Sequence, residues 1–111
     1  MTSAHSLLGL CSRAGRLASG EEMCLRLIRS GGAKLMLVDA AASANTRKEF
    51  ADACRHYGVP LIYLAGRPLG EAIGKPGRMS AAVTDPALAE RIQAQWNQDN
   101  TIDERGGAIG E

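Results

Sequence analysis

The run Ser19-Gly20-Glu21-Glu22-Met23-Cys24-Leu25-Arg26 joins the start of a helix, a glycine and, further along the same helix, an arginine. The first turn of a helix offers free N–H groups and the positive end of the helix dipole to a phosphate or a base edge, and glycine lets a polyanion backbone come close. A side chain at position 26 leans back along the helix toward that end. The same residues also fit a capping box in which Glu22 returns to the Ser19 backbone. Two other segments combine arginine with glycine, Arg13-Ala14-Gly15-Arg16 and Gly66-Arg67-Pro68-Leu69-Gly70. Arg13, Arg16, Arg26 and Arg67 are therefore candidate phosphate contacts, weighed against ordinary solvated surface.

Other chemistry is not signalled. Gly70-Glu71-Ala72-Ile73-Gly74-Lys75 looks like a fragment of a phosphate loop, but its glycines are too close together and Pro76 stands where a hydroxyl residue is needed. No nucleophile elbow or His-Glu-x-x-His motif occurs. Cys11, Cys24 and Cys54 have neither disulfide-framework nor zinc-ligand spacing and read as small buried apolar residues, and His5 and His56 are isolated. Asp39, at the end of an apolar run, could serve a flavodoxin-like active site, but no second carboxylate or lysine accompanies it. No catalytic residue, metal ligand or cofactor is expected.

A chain of 111 residues suits one domain. With four aromatic residues, its core must be mainly aliphatic. The absence of a secretory signal pattern and of a long apolar span points to the cytoplasm and away from membranes. The formal net charge of +1 hides an asymmetry: residues 1–97 carry a net +4, and residues 98–111 a net −3. A mildly basic body suits a polyanionic partner.

These residues need a scaffold, and the periodicity supplies one. Leu7, Leu10, Cys11 and Ala14 predict a helix over 4–14, ended by Gly15, and Arg16-Leu17-Ala18 reads as a short extended link. A second helix spans about 20–30, with Cys24, Leu27 and Ile28 inward and Gly31-Gly32 stopping it. Leu35-Met36-Leu37-Val38 is a strand buried on both faces. A third helix at 45–57 is expected to start on a Thr46-x-x-Glu49 capping box and to bury Phe50, Cys54 and Tyr57. Leu61–Leu64 and Met79–Val83 are further strands, with a short helix between them, and Asp85-Pro86 opens a last helix with Leu88, Ala89, Ile92 and Trp96 inward. The α/β alternation implies a three-layer α/β/α sandwich with a small mixed sheet. One domain over 1–97 and a disordered acidic tail over 98–111 complete the expectation.

The stretches LLGLCSRAGRLASGEE, IRSGGAKLMLVDAAASANTRKEF, HYGVPLIYL and LGEAIGKPGRMSAAVTD, in this order and spacing, resemble the ribosomal protein family typified by large-subunit proteins seven-Ae and thirty-e, the kink-turn RNA binders, and especially its small bacterial YlxQ-type members. The resemblance covers roughly residues 6–97. It implies a non-enzymatic protein that binds structured RNA, ribosomal RNA included, with association to the ribosome or translation factors, as a monomer. It implies that the start of helix two enters an opened groove and that a loop before the last strand covers an extruded nucleotide; bends and bulges are where bases become accessible to side chains. The residues so implicated are Gly20, Glu21, Glu22 and Arg26, together with Arg67, Pro68 and Leu69, while Arg13 and Arg16 flank them. Glu22-Met23 stands where family members carry Asn-Glu or Lys-Gln, and Ala41 where they carry an acid, so phosphate and shape contact should outweigh base reading. The alternatives are a protein-interaction adaptor on the same fold, docking through Met23 and Leu69, and a small flavodoxin-like enzyme.

Overall fold

The computed structural model describes residues 3–105. The chain runs α1 (Ala4–Arg13), β1 (Leu17–Ser19), α2 (Glu21–Ser30), β2 (Leu35–Asp39), α3 (Ala44–Tyr57), β3 (Leu61–Leu64), α4 (Leu69–Ala72), β4 (Ser80–Val83) and α5 (Pro86–Arg105). The sheet order is β1-β4-β2-β3, with β3 parallel to β2 and β4 antiparallel to both β1 and β2. Parallel β2 and β3 require a crossover, which α3 provides.

Strand β2 explains the layers. Its successive side chains point to opposite faces, and all five residues are buried. Leu35 and Leu37 join Leu7, Leu8 and Cys11 of α1, Leu69 of α4 and Ala89 and Ile92 of α5 in one core cluster. Met36 and Val38 join Cys24 and Ile28 of α2 and Phe50 and Cys54 of α3 in the other. The molecule is thus the expected three-layer α/β/α sandwich with a mixed sheet. Among the described residues no helix is long and apolar enough to cross a membrane.

Several local expectations are corrected. The extended link is a true strand, β1, pairing Leu17 with Val83, Ala18 with Ala82 and Ser19 with Ala81. Ser19 belongs to that strand, so α2 starts on Gly20 without a side-chain cap and the capping box does not form. Helix α3 is capped by Ser43, whose hydroxyl accepts from the Thr46 N–H, rather than by Thr46. Tyr57 sits at the end of α3 and is 47 % exposed rather than inward, and on α2 Leu25 is buried in place of Leu27, which is only partly covered. Helix α5 continues to Arg105, through residues 98–105 of the expected tail, and the Ala4 N–H donates to Asp99 Oδ2 at 3.2 Å. The remainder of that tail, 106–111, lies outside the described residues.

Candidate nucleic-acid interface

The strand register gathers one end of the sheet into a surface. Ser19 pairs with Ala81, Val38 with Ser80 and Asp39 with Leu64, so the segments leaving β1, β2 and β3 and the segment entering β4 emerge together. Backbone bonds tie them: Gly20 N–H to Ser80 O at 3.2 Å, Asp39 N–H to Met79 O at 2.9 Å and Ala40 N–H to Leu64 O at 2.8 Å.

Gly20 is the hinge of this surface. Its φ of 101° is costly for any residue with a Cβ, and a Cβ there would lie 2.6 Å from Arg78 Nη1. The Arg78 guanidinium therefore lies over the entry to α2. Arg78 is remote from Gly20 along the chain, and only the β1–β4 pairing brings the two together. Gly70 serves packing instead, since a Cβ on it would meet the Lys75 carbonyl at 2.6 Å and the Gly77 nitrogen at 2.8 Å. Its absence lets α4 lie flat on the segment that carries Arg78.

Asp39 fastens two loops to each other. Its Oδ1 accepts from Ala41 N–H and its Oδ2 from Leu69 N–H, both at 2.8 Å, and it is 7 % exposed. Both oxygens are thus engaged by the backbone, a positioning role rather than that of a free acid. Between the loops it joins lies a shallow pocket of about 250 Å³, lined mainly by small residues, Ala40, Ala41, Ala65, Gly66 and Pro68, with Arg67 at its edge.

The expected site residues divide. Gly20, Glu21 and Glu22 open α2, Arg26 is exposed on its next turn, and Arg67 and Pro68 are exposed at the pocket. Leu69 is fully buried beneath that pocket, so it supports the loop from the core and cannot cover a nucleotide. The segment Arg67–Gly70 enters α4, so the stretch directly before β4 is 73–79. Arg16 lies at the opposite end of the sheet, its carbonyl accepting from Thr84 N–H at 3.0 Å and Thr84 Oγ1 at 3.2 Å. Arg13 lines a groove between α1 and α4 together with Arg67.

The charges here are largely unmatched. Among the described residues, Arg13, Arg16, Arg26 and Arg78 form no ion pair, and Arg67 reaches Glu71 only at 3.9 Å. Glu21 is exposed but faces Glu49 of α3; a hydrogen bond between the two carboxyls, with slight burial and their mutual repulsion, raises its pKa above the usual value of 4.5. Two acidic residues in the first turn of α2 suit its dipole, but they oppose an approaching phosphate. Arg26 and Arg78 by the glycine-opened helix start and Arg67 at the pocket edge can hold phosphates, and the small-residue pocket can shelter one unstacked base.

Comparison with known proteins agrees with this architecture. A Bacillus halodurans C protein of unknown function superposes with a TM-score of 0.81 at 31% identity, covering 87% of this chain and 99% of its own. The 15.5kD RNA binding protein of Giardia lamblia shares the fold, with a TM-score of 0.72 at 19% identity over 88% of this chain and 85% of its own. The RNA-binding protein YlxQ of Bacillus subtilis (strain 168) is 42% identical over 87 residues, 78% of this chain and 87% of that protein. The RNA-binding protein YlxQ of Enterococcus faecium is 38% identical over 91 residues, 81% and 87% of the two chains. With the family model matching residues 2–92 as well, the chain belongs to the Ribosomal protein L7Ae/L30e/S12e/Gadd45 family.

Proposed function

We propose that this protein is a non-enzymatic RNA-binding protein that grips a sharply bent, kink-turn-like RNA across the sheet end. The observation that carries the reading is the convergence of the uncapped α2 start at Gly20, the overlying Arg78 and the small-residue pocket beside Arg67. The RNA-binding relatives supply independent support. In this reading the first-turn N–H groups of α2 and the guanidinium groups of Arg26, Arg67 and Arg78 take phosphates, and the Ala40–Ala41 and Ala65–Pro68 walls shelter an extruded nucleotide. Glu22 puts a negative charge where family members carry Asn or Lys, and Met23 offers no strong hydrogen-bonding group. Affinity then rests mainly on counterion release and the shape of the bend. Structured RNA of ribosomal type is the partner class, and the cytoplasm the setting.

Fluorescence anisotropy with a kink-turn RNA and an unbent duplex of equal length tests this. The kinked RNA should bind more tightly, its affinity should fall steeply between about 50 and 200 mM salt, and Arg26→Ala or Arg78→Ala should each flatten the salt slope by about one unit. Equal affinity for both RNAs, or slopes untouched by the substitutions, refutes it. Met23 and Met79 are 42% and 43% exposed, which favours the adaptor reading if no RNA binds; their replacement would then release a captured protein instead.

A further inference from the structure

Beside the sheet end runs a second concavity, of about 460 Å³, between α1 and α4. Its walls include His5, Gly9 and Arg13 from α1 and Arg67, Glu71 and Gly74 from the α4 region. Arg67 borders both this groove and the small-residue pocket, so the two surfaces are continuous. The Arg13 guanidinium folds back onto its own helix, with Nη1 3.5 Å from the position a Cβ on Gly9 would take. Arg13 has no acidic partner among the described residues, and the Arg67–Glu71 pair spans 3.9 Å between side chains that are 55% and 60% exposed. Such a pair is weak, so both guanidinium groups are free to take anions.

His5, in the wall of the groove, carries an unmatched polar atom. His5 Nε2 is shielded from solvent and, among the described residues, is the buried side-chain atom without a hydrogen-bond partner. The imidazole stands edge-on to Trp96, with ring centroids 6.4 Å apart. Two cations spaced along a groove with an aromatic ring in its wall match the way proteins hold single strands, where phosphates follow the charge and bases rest on rings. A concavity of this size lies in the range of small-ligand sites, about 300–1,000 Å³, and admits a nucleotide rather than a helix.

We infer that the α1–α4 groove seats a single-stranded RNA segment that continues from the bent element, with Arg13 and Arg67 on its phosphates and a base against His5. This rests on the RNA-binding reading above and adds a second, distinct contact. It makes Arg13 a reader of strand state and leaves Arg78 a reader of the bend.

The test uses the full-length protein and one kink-turn RNA in four forms: blunt, with a short single-stranded extension at the 5′ end or at the 3′ end, and with an added duplex arm. One single-stranded extension should tighten binding about fivefold or more. Arg13→Ala should abolish that gain while leaving blunt-RNA affinity within about twofold, because Arg13 is exposed and its loss spares the sheet end. Arg13→Lys should restore part of the gain, and Arg78→Ala should weaken every form alike. No gain from either extension, an equal gain from the duplex arm, or an equal loss on all forms in Arg13→Ala overturns the inference. So does Arg13-dependent binding of adenosine monophosphate without any gain from an extension, which would make the groove a free-nucleotide site. Failure of even the blunt RNA to bind overturns the functional reading and this inference with it.

Discussion

Replacing Asp39 should damage fold and interface together. Its carboxylate receives two backbone N–H groups at 2.8 Å, one from Ala41 in the loop after β2 and one from Leu69 at the start of α4. A hydrogen bond to a charged group is worth about 1.5–3 kcal/mol, and a buried donor left alone suffers its full desolvation cost. The Leu69 N–H is buried, so Asp39→Ala forfeits that whole amount there; the Ala41 N–H is partly exposed, and water recovers most of its share. The expected loss is about 2–4 kcal/mol, a fall in Tm on the order of 10–20 °C for a domain of this size. Asp39→Asn should recover little, because one end of an amide presents a donor to a donor. Urea unfolding followed by circular dichroism gives the stability, and anisotropy with kink-turn RNA below the unfolding range gives the affinity. Since Asp39 sets the spacing of the pocket walls, affinity should drop at least about tenfold, or about 1.4 kcal/mol. A stability loss under about 1 kcal/mol refutes the fastening argument. Full destabilisation with unchanged RNA affinity would separate the pocket from the interface.

Gly20→Ala forces a Cβ onto a φ of 101° and into Arg78, so it should cost about 1–2 kcal/mol in urea unfolding and weaken RNA binding, whereas native stability would refute the strain. The raised pKa of Glu21 comes first from its hydrogen bond to Glu49. A carboxyl with a raised folded-state pKa contributes stability below its unfolded value near 4.5 that is lost as pH rises through the folded value. Glu49→Gln should therefore raise Tm more at pH 7 than at pH 4, and an equal or reversed difference counts against the pairing. Cys11, Cys24 and Cys54 are buried, and burial pushes each thiol up to about 11. A thiol reagent at pH 8 should leave all three unmodified in the native protein and label them only after unfolding; rapid native labelling would refute their burial.

The layers were legible because they rest on composition that repeats. The runs at 35–38 and 61–64 and the amphipathic spacing of α2 and α3 each carry their own signal. β1 does not: a strand of three residues has no period, and it becomes one only by pairing with β4. The same pairing hides Arg78 from sequence reading, since its neighbour Gly20 is remote along the chain. Leu69 misled differently. After Arg67-Pro68 and before Gly70 it reads as loop, yet it is the first residue of α4 and its side chain drops into the core. Caps were ambiguous because Ser43 and Thr46 are both good acceptors one turn apart, and local chemistry alone does not rank them.

The central place of β4 has a consequence for biosynthesis. It lies between β1 and β2, and β1 has no other partner in the sheet. A nascent chain that has emerged only through β3 can pair β2 with β3, but its β1 has nothing to pair with. Closing that gap joins segments distant in sequence, which is the slow kind of contact in folding. The arginine that lies over Gly20 arrives with the same segment. The proposed RNA grip is therefore completed only when β4 inserts, and a ribosome-bound fragment lacking residues 78–83 lacks both the sheet partner of β1 and the arginine over Gly20.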